Sequence, residues 1–391
     1  MWYLYIILTI IIIYILVKMY IKIKFHFWSL QPVFHAYDLM YWIRPPGIIS
    51  KSLPELNRYT NLINITTQDI STIDDSNLSS VCEFINSHYL RTSDAEYNPS
   101  KENIIEYFKS SNHVSYLTIY KETNALYKSV ITARPLYVSL KGVPTFPTYY
   151  VDNLCVHPDV RKKGIAPATI QTHYYNLRHL NSKINTCLFK REGNMTAIVP
   201  LTTFITYGFE LPNLKTAHMS REKLPDNSMS IIELTEQNIH LFTHFMKANI
   251  DRFDCVIIPD IANVVNLIKT KNIYIYGIIK AQNLISSYIF KNPSLKYDGI
   301  NSVVECIATI RDKSQSNNDI FMVGFNIAID MCRKHFNTTR LIIENTSDSN
   351  YIIDNLKKKT NVKIFTQSPT AFFFYNYACY SIVSNSCLLL Y

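Results

Sequence analysis

The sequence predicts an α+β protein of two tandem, like-folded halves behind an N-terminal transmembrane helix. Three observations predict it: an uncharged apolar run at the start, one order of helices and strands that occurs twice, and enough apolar residues for two cores. The 391 residues suffice for two ordinary domains. With 48% of residues hydrophobic and only 18% charged, the composition argues against wholesale disorder. Ile, Asn, Lys and Tyr abound while Gly numbers only 8, a bias towards A/T-rich codons that carries no chemistry.

Met1–Val17 has no charged side chain, and the apolar run resumes after Lys18 with Met19, Tyr20 and Ile21. About 20 helical residues span a bilayer core, so the stretch is just sufficient. A cleaved signal peptide needs a basic start and a small-residue cleavage site. Here the chain begins Met1-Trp2-Tyr3 and continues with bulky residues, so a permanent anchor over 1–24 is expected in a lipid bilayer. Lys18, Lys22 and Lys24 flank its C-terminal side, which places the rest of the chain on the cytosolic side.

Within 25–391 the same pattern recurs, with the halves assigned to 25–218 and 219–391. A helix near 78–89 precedes a helical pattern over Pro99–Lys109 and strand-like runs Val114–Tyr120 and Ala125–Ala133, the second ending at Arg134-Pro135. A strand over Tyr149–Val156 and a helix over Ile165–Leu180 complete the unit. Its counterpart runs through a helix near 236–249, Pro259–Lys269, Ile273–Lys280, Leu284–Phe290, Ser302–Ile310 and Ile320–His335. Helices mixed with antiparallel strands make an α+β pattern.

The eight cysteines are scattered without C-x-x-C or Cys/His ligand spacing, which predicts reduced, buried thiols and no metal site. The net charge of +9 reads either as a solvated basic surface or as a preference for an anionic membrane or phosphate-bearing ligand. No Lys/Arg run is long enough to propose nucleic acid.

The chemistry concentrates in Val151–Ile170, where a strand ends at Val156 and a helix opens at Gly164–Ala166. Unsatisfied N–H groups and the helix dipole at such a start favour a pyrophosphate. Gly164 permits close approach, and Arg161, Lys162 and Lys163 add positive charge. Arg161-Lys162-Lys163-Gly164-Ile165-Ala166 resembles the Arg-x-x-Gly-x-Ala coenzyme A loop of the GNAT acyltransferases. The longer Leu154-Cys155-Val156-His157 with Ala166-Pro167 resembles the signature of eukaryotic N-myristoyltransferases. Phe25-His-Phe-Trp-Ser-Leu-Gln-Pro-Val33 and Phe374-Tyr-Asn-Tyr-Ala-Cys379 are similar to two further segments of that family, in the same order.

The resemblance implies a duplicated acyl-CoA N-acyltransferase fold over roughly 25–391. It implies a coenzyme A thioester, myristoyl-CoA or another acyl-CoA, held by Phe25, Phe27, Trp28, Asn153, Leu154, Cys155, Val156 and the 161–166 loop. Backbone N–H groups of Asn153 and Leu154 would form the oxyanion hole, and the terminal carboxylate of Tyr391 would be the base, with a protein or peptide amine as acceptor. Other readings of single residues stand beside these. Cys155 reads as nucleophile or as core, His157 as base or as strand-end structure, and Phe25, Phe27 and Trp28 as interfacial aromatics or cofactor contacts. The family's acceptor-side motifs depart here, at Arg191-Glu192-Gly193, Phe204–Gly208, Cys306–Ala308 and Thr366-Gln367-Ser368, and Asn153 stands where the family has Phe. A catalytically silent, membrane-anchored interaction protein is therefore the alternative function.

In sealed vesicles carrying the full chain, a protease on the cytosolic side should digest residues 25–391. The five N-x-S/T sites at Asn64, Asn77, Asn194, Asn337 and Asn345 should stay unmodified. A glycan on any of them reverses the orientation.

Overall fold

A computed structural model of the chain describes residues 2–90, 95–122, 126–193, 195–212, 223–297, 303–313 and 318–391. Helix Trp2–Lys24 has no buried residue and is long and apolar enough to cross a membrane. An all-round apolar helix needs non-aqueous surroundings, which its own fold does not provide. The chain then docks at once. Phe27, Gln31 and Val33 are buried, the Tyr375 hydroxyl bonds Gln31, and the Asn376 N–H donates to the Pro32 carbonyl at 2.9 Å.

Both halves run through the same elements. The first comprises strand Ile65–Asp69, helices Asp75–His88 and Lys101–Ile105, strands Tyr116–Lys121, Tyr127–Leu140 and Val143–Val156, helix Ile165–Leu180 and strand Cys187–Glu192. The second comprises Met229–Leu234, helices Ile239–Asn249 and Ile261–Lys269, strands Ile273–Lys280, Asn283–Lys291 and Val304–Arg311, helix Asn318–Phe336 and strand Arg340–Glu344. Local chemistry sets the limits. Asp74 caps the first helix by accepting from the Asn77 N–H, and Ser100 with Asn103 forms a capping box. Val81, Cys82, Phe84 and Ile85 then form the buried stripe that docks the first helix on the sheet. The expected boundary at 218/219, and the expected strand starts at Ala125 and Ser302, lie outside the described residues.

One expectation is corrected. The strand expected to end at Arg134-Pro135 runs on to Leu140. Proline breaks a ladder only where its missing N–H is needed. On one side the last partner, Tyr116–Lys121, stops opposite Ala133, and the next, Cys255–Ile258, begins opposite Tyr137. Pro135 occupies the gap between the two neighbours.

Among the described residues, fourteen strands form one sheet continuous across both halves. In each half the Val143–Val156 or Val304–Arg311 strand lies parallel to the half's next strand. The halves then exchange partners. Thr202–Glu210 pairs with Arg340–Glu344, Lys363–Tyr375 pairs with Cys187–Glu192, and the two crossing strands pair with each other. The chain end returns as strand Cys387–Leu389 beside Cys255–Ile258, with Leu388, Leu389, Leu390 and Tyr391 all buried.

Where the exchanged strands meet, Lys190 of the first half reaches Glu344 of the second at 2.7 Å and Glu192 at 2.7 Å. Its ammonium also donates to the Tyr391 hydroxyl at 2.8 Å, which in turn donates to Glu344 at 2.5 Å. Burial alone would lower the lysine's pKa, but the surrounding carboxylates outweigh it and hold the group well above its ordinary value. Removing one partner of a buried pair strands the other charge. Lys190→Met should therefore lower unfolding free energy by about 3–5 kcal/mol in a denaturant titration, and adding Glu344→Gln should recover much of that loss. A loss below about 1 kcal/mol would show that the pair does not hold the halves together.

Candidate active site

The first half's parallel strands are paired only at Tyr149–Cys187 and Tyr150–Leu188, although they run on to Val156 and Glu192. Beyond that pairing the sheet opens as a V. Inside it, Thr132 pairs with Asp152 and Val130 with Cys155, so Asn153 and Leu154 together oppose Ile131. This is a β-bulge, and bulges re-aim backbone groups. Asn153 takes a left-handed φ of 54°, which asparagine tolerates better than most residues. Its side chain donates to Thr132 Oγ1 at 3.0 Å, while its backbone N–H donates to Asp152 Oδ1 at 2.7 Å. The Tyr89 hydroxyl donates to the same carboxylate oxygen at 2.7 Å.

The strand leads directly into the loop at the mouth of the V. Gly164 caps helix Ile165–Leu180 in the left-handed region, φ 80°, with nothing within 4 Å of where a Cβ would stand. That open space above a helix start suits an anion. Arg161 is spent on structure, donating to the Val156 and His88 carbonyls at 3.1 and 3.3 Å. Lys162 and Lys163 are exposed beside it. These groups fit a pyrophosphate.

The other site residues expected from sequence fall around this unit. Leu154 and Val156 are half-buried on the strand, and Ile165 and Ala166 open the helix. Cys155 is core: burial pushes its thiol up to about 12, which leaves no thiolate for attack. His157 is a strand-end spacer, its ring stacked on Phe84 and 4.7 Å from that of His88. Trp28 stacks on Phe189, which stacks on Phe373, in the same cluster as Tyr174 and Leu177 of helix Ile165–Leu180. The 27–33 segment thus lies on the helix's face of the sheet. Phe27 is buried against Trp28 and Tyr59, whereas Phe25 is 48% exposed.

On the opposite face the V meets a cavity of about 300 Å³ between the halves. Asn153 and Tyr391, far apart in sequence, both line it. Its walls also carry Glu192, Thr206, Thr366 and Ser368, four of the positions where the acceptor-side motifs depart. Sequence reasoning missed Arg134, Asp152, Lys190, Lys291 and the tyrosines 89, 97, 107, 150 and 297, which share these walls. One signal was available: Thr132, Arg134 and Leu136 share a strand face, and a lone cation in such a row needs a reason.

The second half has a corresponding V that is stitched shut. Its bulge falls at Ile307, and residues 346–349 fill the gap. The Thr346 hydroxyl donates to the Ile307 carbonyl, the Asp348 N–H to the Thr309 carbonyl, and the Arg311 N–H to Asp348. Arg252 closes the stitch with an ion pair to Asp348. That half also has no glycine between Arg311 and Phe321 to open a helix start.

No family model matches the chain, and no curated protein matches it by sequence. Solved structures do. N-myristoyltransferase of Saccharomyces cerevisiae with bound myristoyl-CoA superposes with a TM-score of 0.69 at 17% identity, covering 92% of this chain and 94% of that one. A tandem GNAT protein from the clavulanic acid biosynthesis pathway superposes at 0.54 and 10% identity, covering 81% and 100%. At such identities the likeness is one of fold. The chain has the α+β fold of N-myristoyltransferase, two tandem GNAT-like halves, behind an N-terminal apolar helix.

Proposed function

We propose that this chain is a membrane-anchored N-acyltransferase that transfers an acyl group from coenzyme A, myristoyl or another, to an amine. The observation that carries the proposal is the contrast between the two V-shaped openings: one is open beside a glycine-capped helix start, the other is filled by its own chain. A fold kept only for packing has no use for that difference. The division into a 25–218 acyl-CoA half and a 219–391 acceptor half belongs to the same proposal.

In this reading the helix start at Gly164 with Lys162 and Lys163 receives the pyrophosphate, and the thioester carbonyl enters the V at the Asn153 bulge. The N–H groups of Asn153 and Leu154 stabilise the oxygen as it becomes negative. The amine nitrogen attacks the carbonyl carbon, the C–S bond breaks, and the thiolate leaves with the electron pair. The terminal carboxylate of Tyr391 takes the proton that the amine releases. Cytosolic orientation follows from the basic flank of the helix.

One observation favours the silent alternative, an anchored scaffold. The Asn153 N–H is already held by Asp152, whose negative charge opposes an oxyanion beside it. Catalysis requires Asp152 to yield that N–H when the thioester arrives.

Native mass spectrometry of the detergent-solubilised chain should show coenzyme A or an acyl-CoA bound. Gly164→Glu, at an exposed turn, should leave the fold intact and abolish acyl-CoA binding by bulk and charge. Unchanged affinity in the folded variant removes this loop from the site. Adding one glycine after Tyr391 moves the terminal carboxylate by about 3.3–3.6 Å. Transfer should then fall by roughly 10²–10⁴-fold while acyl-CoA affinity changes little. Transfer indifferent to the added glycine means that another group is the base.

A further inference from the structure

The cavity contains a buried cation that none of the described residues pairs directly. Among the described residues, three cationic side chains line it: Arg134, Lys190 and Lys291. Lys190 is held by Glu344 and Glu192, and Lys291 by Glu305 at 3.4 Å. Arg134 differs. It is only 6% exposed, yet none of the described residues forms an ion pair with it or accepts a hydrogen bond from it. Its guanidinium lies between the rings of Tyr107 and Tyr150, 5.1 Å from each centroid. These ring contacts use none of its N–H donors. A buried charge without hydrogen bonds is costly, and such groups persist where a ligand satisfies them.

The position of Arg134 fixes what the ligand must be. Thr132 and Arg134 are neighbours on one face of one strand, and Thr132 holds the Asn153 side chain at the bulge. One such step is about 6.6 Å, so a group at Arg134 lies a few bonds from an atom at the bulge. The edge of a guanidinium matches a carboxylate with two parallel hydrogen bonds. Asp152, Glu192 and Glu305 on the same walls disfavour a more highly charged anion such as a phosphate dianion.

We propose that Arg134 binds the carboxylate of the acceptor, and that the acceptor is a small amino acid whose amine and carboxylate are separated by a few methylenes. The inference deepens the acyl-transfer reading and rests on it for the word acceptor, but the carboxylate site is testable by binding alone. A cavity of about 300 Å³ lies at the small end of ligand pockets and suits such a molecule. The amine would reach the bulge while the carboxylate docks one strand step away.

The test uses the full chain in detergent, with and without bound acyl-CoA, and titrates γ-aminobutyrate against its primary amide, which keeps the amine but lacks the carboxylate, in a calorimeter. The carboxylate form should bind roughly 10- to 100-fold more tightly, the range of a charge-assisted pair of hydrogen bonds. Arg134→Met should erase that preference and raise the melting temperature, because it removes a buried, unpaired charge. Arg134→Lys should retain part of the preference. Equal affinity for the two ligands, or binding of neither, overturns the proposal, as does a preference that survives in Arg134→Met. A longer peptide with an acidic second residue binding better than γ-aminobutyrate would replace the small amino acid by a peptide acceptor and also overturn it. Failure of acyl-CoA to bind, with the carboxylate preference intact, would instead refute the acyltransferase reading and leave the carboxylate site standing.

Discussion

The exchange of strands between the halves is the constraint on which the rest depends, and Lys190 sits where the exchange is made. A GNAT-like half parts its sheet after two or three backbone pairs, which leaves a sheet edge inside the molecule. An open edge needs covering. Here each half supplies the strand that covers the other's edge, so neither can be removed without exposing its neighbour. The Lys190 ammonium bridges the two sides at that seam, and the Tyr391 phenol completes its shell. Tyr391 is therefore part of the joint.

Duplication followed by unequal use explains the asymmetry between the two openings. In the second half, Asp348 serves at once as acceptor for the Arg311 N–H and as counter-ion to Arg252 and Arg311. The segment that stitches the V is thus held by charge as well as by backbone. In the first half the chain after Glu192 turns away, and the Gly193 N–H donates to the Pro369 carbonyl of a crossing strand. The opening survives because its own chain has been drawn elsewhere.

Much of this was legible in the sequence, for identifiable reasons. The duplicated element order could be read because amphipathic stripes such as Val81–Ile85 and turn residues recur at like spacing. Helix Ile165–Leu180 was read to its limits because a glycine precedes it and an apolar face runs its length. What could not be read was pairing between distant strands. Pro135 looked like a terminator because no sequence rule shows that two different neighbours leave a gap at that residue. The Lys190–Glu344 pair and the stitched second V were hidden for the same reason, since both join residues whose proximity is created only by the sheet. Asn153 and Tyr391 were singled out through resemblance, whereas Arg134 showed only as a lone cation in the row from Thr132 to Leu136, and only the folded sheet puts that face on the cavity.

The way the apolar helix enters the fold bears on how the proposed donor would arrive. Three residues separate Lys24 from Trp28, whose ring rests on Phe189 of the parted strand. Gln31 and Pro32 are bonded to Tyr375 and Asn376 at the end of a crossing strand. The helix is thus followed at once by a segment that is tied to the sheet and faces helix Ile165–Leu180. If the helix is anchored as proposed, the bilayer lies next to the segment that packs on the helix Ile165–Leu180 face of the sheet. The cavity lined by Arg134 lies on the other face of the sheet. Such a division suits a lipid-soluble donor chain and a small charged acceptor, each approaching the bulge at Asn153 from the phase in which it dissolves.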